Sequence, residues 1–409
     1  MTADDVAAWL RLSLTPGVGN QTARVLLTRF GLPENIFLQS LAELSRVVSP
    51  SQAQALRSPP QSFEVQLEST LLWLRGKAAG GGDATEPGEQ RNTRRLLALG
   101  DAEYPEALLG IEDPPLLLYV IGRGRLRRTD SDAITPGPSA AESRPALRGG
   151  IAIVGSRNPT PQGEGNARQF AKTLAEAGLT VISGLALGID GAAHGGALEA
   201  TGSSCAPMPT LAVVGTGLDR VYPKQHLALA RKICERGLLL SEYPLGTPPL
   251  AANFPRRNRL IAALSRGALV VEAAMQSGSL ITARLAVEQG KEVFAIPGSI
   301  HSPLSRGCHA LIRQGAKLVE SAQDVLEELQ WAAPGSSAPQ HANAPGGVSG
   351  ADPDEALLHW LGYDPVALDT LVSRSGISAS DWQVQLLTLE LAGRVARLPG
   401  GAYQRIAQA

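Results

Sequence analysis

The sequence has no surplus of positive charge. Its 37 lysines and arginines are met by 38 aspartates and glutamates, a formal net charge of -1. A strongly basic balance would point to nucleic acid. Here any such site must come from a local cluster. Cysteine is scarce, with Cys205, Cys234 and Cys308 at unpaired spacings. That argues against a disulfide framework and a cysteine zinc site, and favours a reducing compartment. No apolar run reaches the roughly 18 residues of a membrane span. The opening MTADDVAAWL carries acids and no basic n-region, so a soluble cytoplasmic protein without a secretory signal is expected. Several motifs are missing too. There is no G-x-x-x-x-G-K-[ST] loop, and GSRNPTPQGEG departs from G-x-G-x-x-G. There is no G-x-S-x-G, no metal-spaced His/Cys set and no paired carboxylates in a strand-end loop. His194 reads as a helix-borne polar residue near a crevice mouth. The legible chemistry is binding, and no catalysis, cofactor or metal is expected.

What is present suits a protein of two or three domains. The chain has 409 residues, 44% of them apolar. Four segments lack periodic apolar patterning and are rich in Gly, Pro, Ser or Ala. They are Gly76–Thr93, Arg123–Gly149, Gly202–Thr210 and Ala332–Ala351. The first and last read as linkers, the inner two as grown loops. Three units follow: 1–76, 95–330 and 352–409.

The first unit reads as all-helical. Its turn Pro16-Gly17-Val18-Gly19 precedes an apolar-periodic helix and resembles the hairpin of a SAM-like or helix-hairpin-helix module. Glycines there would let backbone N–H groups approach a phosphate, although a tight turn needs the same residues. The last unit shows helices at Glu355–Trp360, Val366–Arg374 and Ser380–Ala392. Strands Val395–Leu398 and Ala402–Ile406 then flank Pro399-Gly400-Gly401, which is the plan of a winged helix.

The middle unit alternates strand and helix. Strands are expected at 151–155, 179–184, 211–217, 238–244, 268–273, 292–298 and 317–321, with helices at 166–177, 189–200 and 224–236 between them. This rhythm predicts a Rossmann-like, mainly parallel α/β sheet, which binds ligands at the carboxyl ends of its strands. Those ends read Gly155-Ser156-Arg157, Ser183-Gly184 and Gly215-Thr216-Gly217. After ALVVEA come Ser277, Gly278, Ser279 and Thr282. Each turn offers backbone N–H groups, small side chains and often a hydroxyl, a combination that binds phosphate. One turn is weak evidence, but four on one edge could hold a chain of phosphates.

The stretch ANFPRRNRLIAAL, 252–264, adds Asn253, Phe254, Arg256, Arg257 and Asn258. A helix starting near Pro255 would lean Arg257 toward the sheet crest and leave Phe254 able to stack on an unpaired base. The competing reading pairs Arg257 with an acid such as Glu272 and puts Phe254 in the core.

GSR, SGLALGID, GTGLDRVYP, NFPRRNRLIAALS, VVEAAMQSGSLITA and FAIPG occur in that order, preceded by GDAEYPEALLGIEDPPLLLYVIG. Together these motifs resemble the bacterial DNA-processing protein A family, DprA or Smf, over about 95–320. The resemblance implies a core that binds single-stranded DNA, homodimerises and loads RecA recombinase in natural transformation, without catalysis. It implies DNA contacts at Arg157, at 183–184 and at 254–257. The chain departs from the family at Gly307-Cys308-His309, where members often read G-x-N. Two rivals are a nucleotide-binding adaptor and a LOG-like nucleotide phosphoribohydrolase. The latter's motif wants an acid where this chain has Arg284.

Overall fold

The computed structural model describes residues 1–76, 93–126, 146–202, 205–331, 357–358, 360–361, 365–398 and 400–406. The segment Ala332–Ala351 and most of the expected linker and inner loop at 76–93 and 123–149 lie outside them. Helices α1 (Ala3–Leu14), α2 (Asn20–Phe30), α3 (Pro33–Leu38), α4 (Leu41–Leu44), α5 (Pro50–Leu56) and α6 (Phe63–Leu74) open the chain. The turn between α1 and α2 is the expected glycine hairpin. Gly17 sits at φ 77° with its carbonyl taken by Gln52, while Gly19 caps α2 with no side-chain bond.

The core sheet is built from β1 (Thr93–Ala98), β2 (Leu117–Gly122), β3 (Gly150–Gly155), β4 (Thr180–Ser183), β5 (Thr210–Val213), β6 (Leu238–Ser241), β7 (Gly267–Val271), β8 (Glu292–Ala295) and β9 (Lys317–Leu318). Its order is β1-β2-β6-β5-β4-β3-β7-β8-β9. Strands β3 to β9 pair in parallel, as the alternation of strand and helix predicts. Strands β1 and β2 were not anticipated. They extend the β6 edge in antiparallel fashion, and β1 begins at Thr93, the residue expected to end a linker.

Alternation along β3 splits the core in two. Ile151 and Ile153 pack with helices α7 (Pro161–Glu176) and α8 (Ile189–Glu199). Ala152 and Val154 face the opposite layer, which ultimately includes helices α10 (Asn253–Leu264) and α11 (Ser279–Glu288). Between α8 and α10, α9 (Leu227–Arg236) covers β5 and β6. The sheet is thus wound on both faces. Helix α10 starts two residues earlier than Pro255 suggests, because proline fits anywhere in a first turn, where N–H groups have no partner.

The N-terminal helices do not stand apart. Their buried Trp9, Leu26 and Trp73 share one apolar cluster with Leu96, Leu117 and Tyr119 of β1 and β2. Trp73 meets Tyr119 edge-on at 5.7 Å. At the other end, helices Leu368–Ser375 and Ala379–Leu391 pack with β10 (Val366–Ala367), β11 (Val395–Arg397) and β12 (Ala402–Arg405) in the order β10-β12-β11. This is a winged helix. Val366 pairs with Tyr403 in the sheet instead of starting a helix. Of the expected helix Glu355–Trp360, only Leu357, Leu358 and Trp360 are described, and they are helical. Among the described residues no helix is long and apolar enough to cross a membrane.

Candidate nucleic-acid interface

Turns at the carboxyl edge of β3, β4 and β7 meet the first turn of α10 around a cavity of about 380 Å³. Gly155 forms its floor. A Cβ there would stand 1.8 Å from the Val271 carbonyl oxygen, so only glycine fits. Ser156 then donates its backbone N–H to the Glu272 carbonyl at 2.7 Å, and Arg157 emerges exposed on the rim. Among the described residues no acid lies within ion-pair reach of Arg157. The Glu272 carboxylate is engaged elsewhere: it accepts the Thr160 N–H at 2.8 Å and the Thr160 hydroxyl at 2.5 Å. Burial pushes that carboxyl up, and the two bonds oppose the shift.

Arg257 points inward from α10 and is 4% exposed. Its guanidinium donates to the Val213 carbonyl and occupies the space over Gly184, where a Cβ would stand 1.9 Å from Nη1. The acid that faces it is Asp190, not Glu272. Asp190 lies in the first turn of α8 and accepts N–H groups from Gly184 at 3.1 Å and Ala186 at 3.3 Å. Burial pushes the Asp190 carboxyl up, with Arg257 and the two N–H groups opposing. Burial pushes Arg257 down, with Asp190 opposing.

This arrangement corrects the reading of the Ser-Gly turn. Gly184 already gives its N–H to a carboxylate of its own chain. Ser183 is fully buried, and its hydroxyl donates to the Ile153 carbonyl at 2.7 Å. Residues 183–184 therefore build the seat of Arg257 and do not present a phosphate cradle.

Arg256 lies apart from the cavity. One step along α10 turns it about 100° away, where it pairs with Asp113 at 3.1 Å. Arg259 on the same flank pairs with Glu242 and lies 3.6 Å from Asp113. Of the three arginines of the first turns, only Arg257 lines the cavity.

Phe254 is half-buried and lies close to two groups. The Arg157 guanidinium carbon is 5.7 Å from its ring centre, and the Tyr222 ring is 5.6 Å away. Asn253 donates its side-chain N–H to the Gly215 carbonyl at 3.1 Å, which ties α10 to the β5 turn and directs it away from the cavity. Asn258 reaches the Gly278 carbonyl at 3.4 Å. Ser277 and Ser279 bring their hydroxyls within 2.7 Å of each other, and Thr282 is nearly buried behind them.

The cavity thus gathers Gly155, Arg157, Phe254, Arg257, Asn258, Ser277, Gly278, Ser279 and Thr282. Asp190 was missed, although an acid in the first turn of a helix that follows a strand end was a visible signal. Tyr222 was also missed; it stands in the quoted GTGLDRVYP. His194 does not reach the surface of this cavity. It is fully buried, holds the Thr210 hydroxyl at 2.6 Å, and burial pushes it down to about 3.

Chemically, the site offers one unpaired cation on the rim, one buried cation fixed by its acid, an aromatic face, and a hydroxyl-bearing helix start. That set fits a phosphate joined to an unpaired base.

Comparison with known proteins identifies the family. Residues 140–330 match the family model of DNA recombination-mediator protein A, and 337–401 match the DprA winged helix domain. Protein Smf of Escherichia coli is 39% identical over 99% of this chain and 97% of its own length. The DNA processing protein DprA of Streptococcus pneumoniae is 45% identical over 56% of this chain and 72% of its own. The X-ray structure of DprA from Streptococcus pneumoniae covers 80% of this chain and 98% of its own, at 34% identity and a TM-score of 0.58.

Proposed function

The chain belongs to the DprA/Smf family of DNA processing proteins, and from that premise we propose that it binds single-stranded DNA, protects it and loads RecA recombinase onto it during natural transformation and recombination. It does so without catalysis. RecA and a second copy of this chain are its protein partners. The carrying observation is the grouping of Arg157, Phe254 and Tyr222 beside buried Arg257: a free cation lies over an aromatic ring at one cavity mouth. Phosphate on Arg157 and a base against Phe254 satisfy both groups, and any base has a face to stack.

Three units share the work: 1–76, 95–330 and 352–409. The hairpin at Pro16–Gly19 is a second DNA contact, because α2 begins with N–H groups that no side chain caps. The winged helix serves a protein. Its helix Ala379–Leu391 contains Asp381 and Glu390 but no lysine or arginine, and Val384, Leu387 and Leu391 are exposed on it. A duplex-reading helix needs basic groups for the phosphates.

The test is a gel shift with poly-dT, with a mononucleotide as competitor. The expected result is tight, salt-sensitive binding that the mononucleotide does not displace. Displacement by the mononucleotide would instead favour a nucleotide-binding adaptor.

A further inference from the structure

We infer that the single strand continues past Arg157 into a second cavity, which holds the next nucleoside. The inference rests on the reading of the first cavity as a single-stranded DNA site. The second cavity has a volume of about 510 Å³ and lies on the far side of Arg157, which lines both. Asn158 and Pro159 of the β3–α7 turn, Gly191 of α8 and His226 supply its walls.

Two glycines shape it. Gly188, at φ 76°, lets α8 come up against the β3–α7 turn; a Cβ there would stand 2.4 Å from the Ser156 carbonyl oxygen. Gly191 admits His226, whose Cε1 a Cβ would meet at 2.7 Å. The imidazole is oriented, because Nδ1 donates to the Leu185 carbonyl at 3.0 Å. That leaves Nε2 and a ring face toward Gly191.

The charge balance decides what this cavity takes. Arg168 is on its wall, but both of its bonded nitrogens are engaged by Glu199. Glu164 is also on the wall. With Arg157 shared between the cavities, little positive charge is left for a second phosphate. A nucleoside fits better. The imidazole and the Pro159 ring offer flat faces, and Asn158 and Nε2 offer polar groups for a base edge. A phosphate on Arg157 then joins two nucleosides, one against Phe254 and one against His226.

The experiment measures affinity for oligo-dT probes lengthened one nucleotide at a time, with wild type, His226→Ala, Gly191→Ser and Phe254→Leu. Gly191→Ser puts a Cβ against the His226 ring and so displaces the imidazole from the cavity wall, and thermal melts confirm that each variant is folded. The expected result is unchanged affinity of His226→Ala and Gly191→Ser for the shortest probe that binds. Their affinity then falls about fivefold or more once a further nucleotide is added, the low end of one stacked base. The salt slope stays that of wild type, since no cation is lost. Equal affinity of both folded variants and wild type at every length overturns the second cavity while leaving the first intact. Failure of wild type to bind any length, or an unweakened Phe254→Leu, overturns the reading on which it rests.

Discussion

The two flanks of α10 carry the same side chain in different surroundings. On one flank Arg257 is buried against Gly184 and faces Asp190 at the edge of an open cavity. On the other, Arg256 and Arg259 meet Asp113 and Glu242, and Glu242 is itself buried. The first flank keeps positive charge where a ligand can reach it, because Arg157 stands unpaired beside it. The second flank neutralises its charge internally and fastens α10 to the loop after β1. The two flanks show that arginines within one turn of helix differ in whether their charge stands beside the open cavity or is tied to acids away from it.

The largest expected effect comes from breaking the buried pair. Arg257→Ala leaves the Asp190 carboxyl buried without the positive charge that faces it and empties the space over Gly184. A sharp fall in melting temperature and loss of DNA binding are expected. The double variant Asp190→Asn with Arg257→Met should recover melting temperature but not affinity. If it recovers both, Arg257 has no part in binding.

Phe254→Leu should weaken poly-dT binding by about 1–3 kcal/mol with the salt slope unaltered, and tyrosine or tryptophan there should largely restore it. A lowered melting temperature with normal affinity would instead make the ring a core residue. For Arg157→Ala the expected signature is electrostatic: the slope of log affinity against log salt should flatten by roughly 0.7 for a single strand. An unchanged slope removes Arg157 from the site.

The smallest effect belongs to the neutralised flank. Arg256→Ala should leave the salt slope alone and alter stability by no more than about 1 kcal/mol, as half-exposed ion pairs do. Asp113→Asn tests the same idea in reverse. It frees Arg256, so the slope should steepen slightly in titrations at matched salt. A clear flattening with Arg256→Ala would mean that the two flanks act together.

Much of this was legible before folding. The alternation of β-rich runs and helical segments marked the parallel sheet, and most strands lie within a residue or two of their expected starts. Gly155, Arg157, Phe254 and the 277–282 turn were placed together because strand ends of such a sheet converge. Strands β1 and β2 escaped because antiparallel edge strands break the rhythm that revealed the others. Ser183 and Gly184 were misread because a turn's composition does not say what its N–H groups bind. Here a side chain six residues along, that of Asp190, accepts the Gly184 N–H.

The sequence by itself determined the period of each element, the glycines that turns and close approaches require, and the order in which strand ends arrive at one edge. These depend on neighbours along the chain and on steric rules that act within a few residues. The tertiary structure alone decided which arginine is free. Asp113 is 143 residues from the Arg256 it pairs with, and Asp190 is far along the chain from Arg257. Charge neutralisation acts through space at a few ångströms, and no local pattern records which distant acid folding will bring within that range.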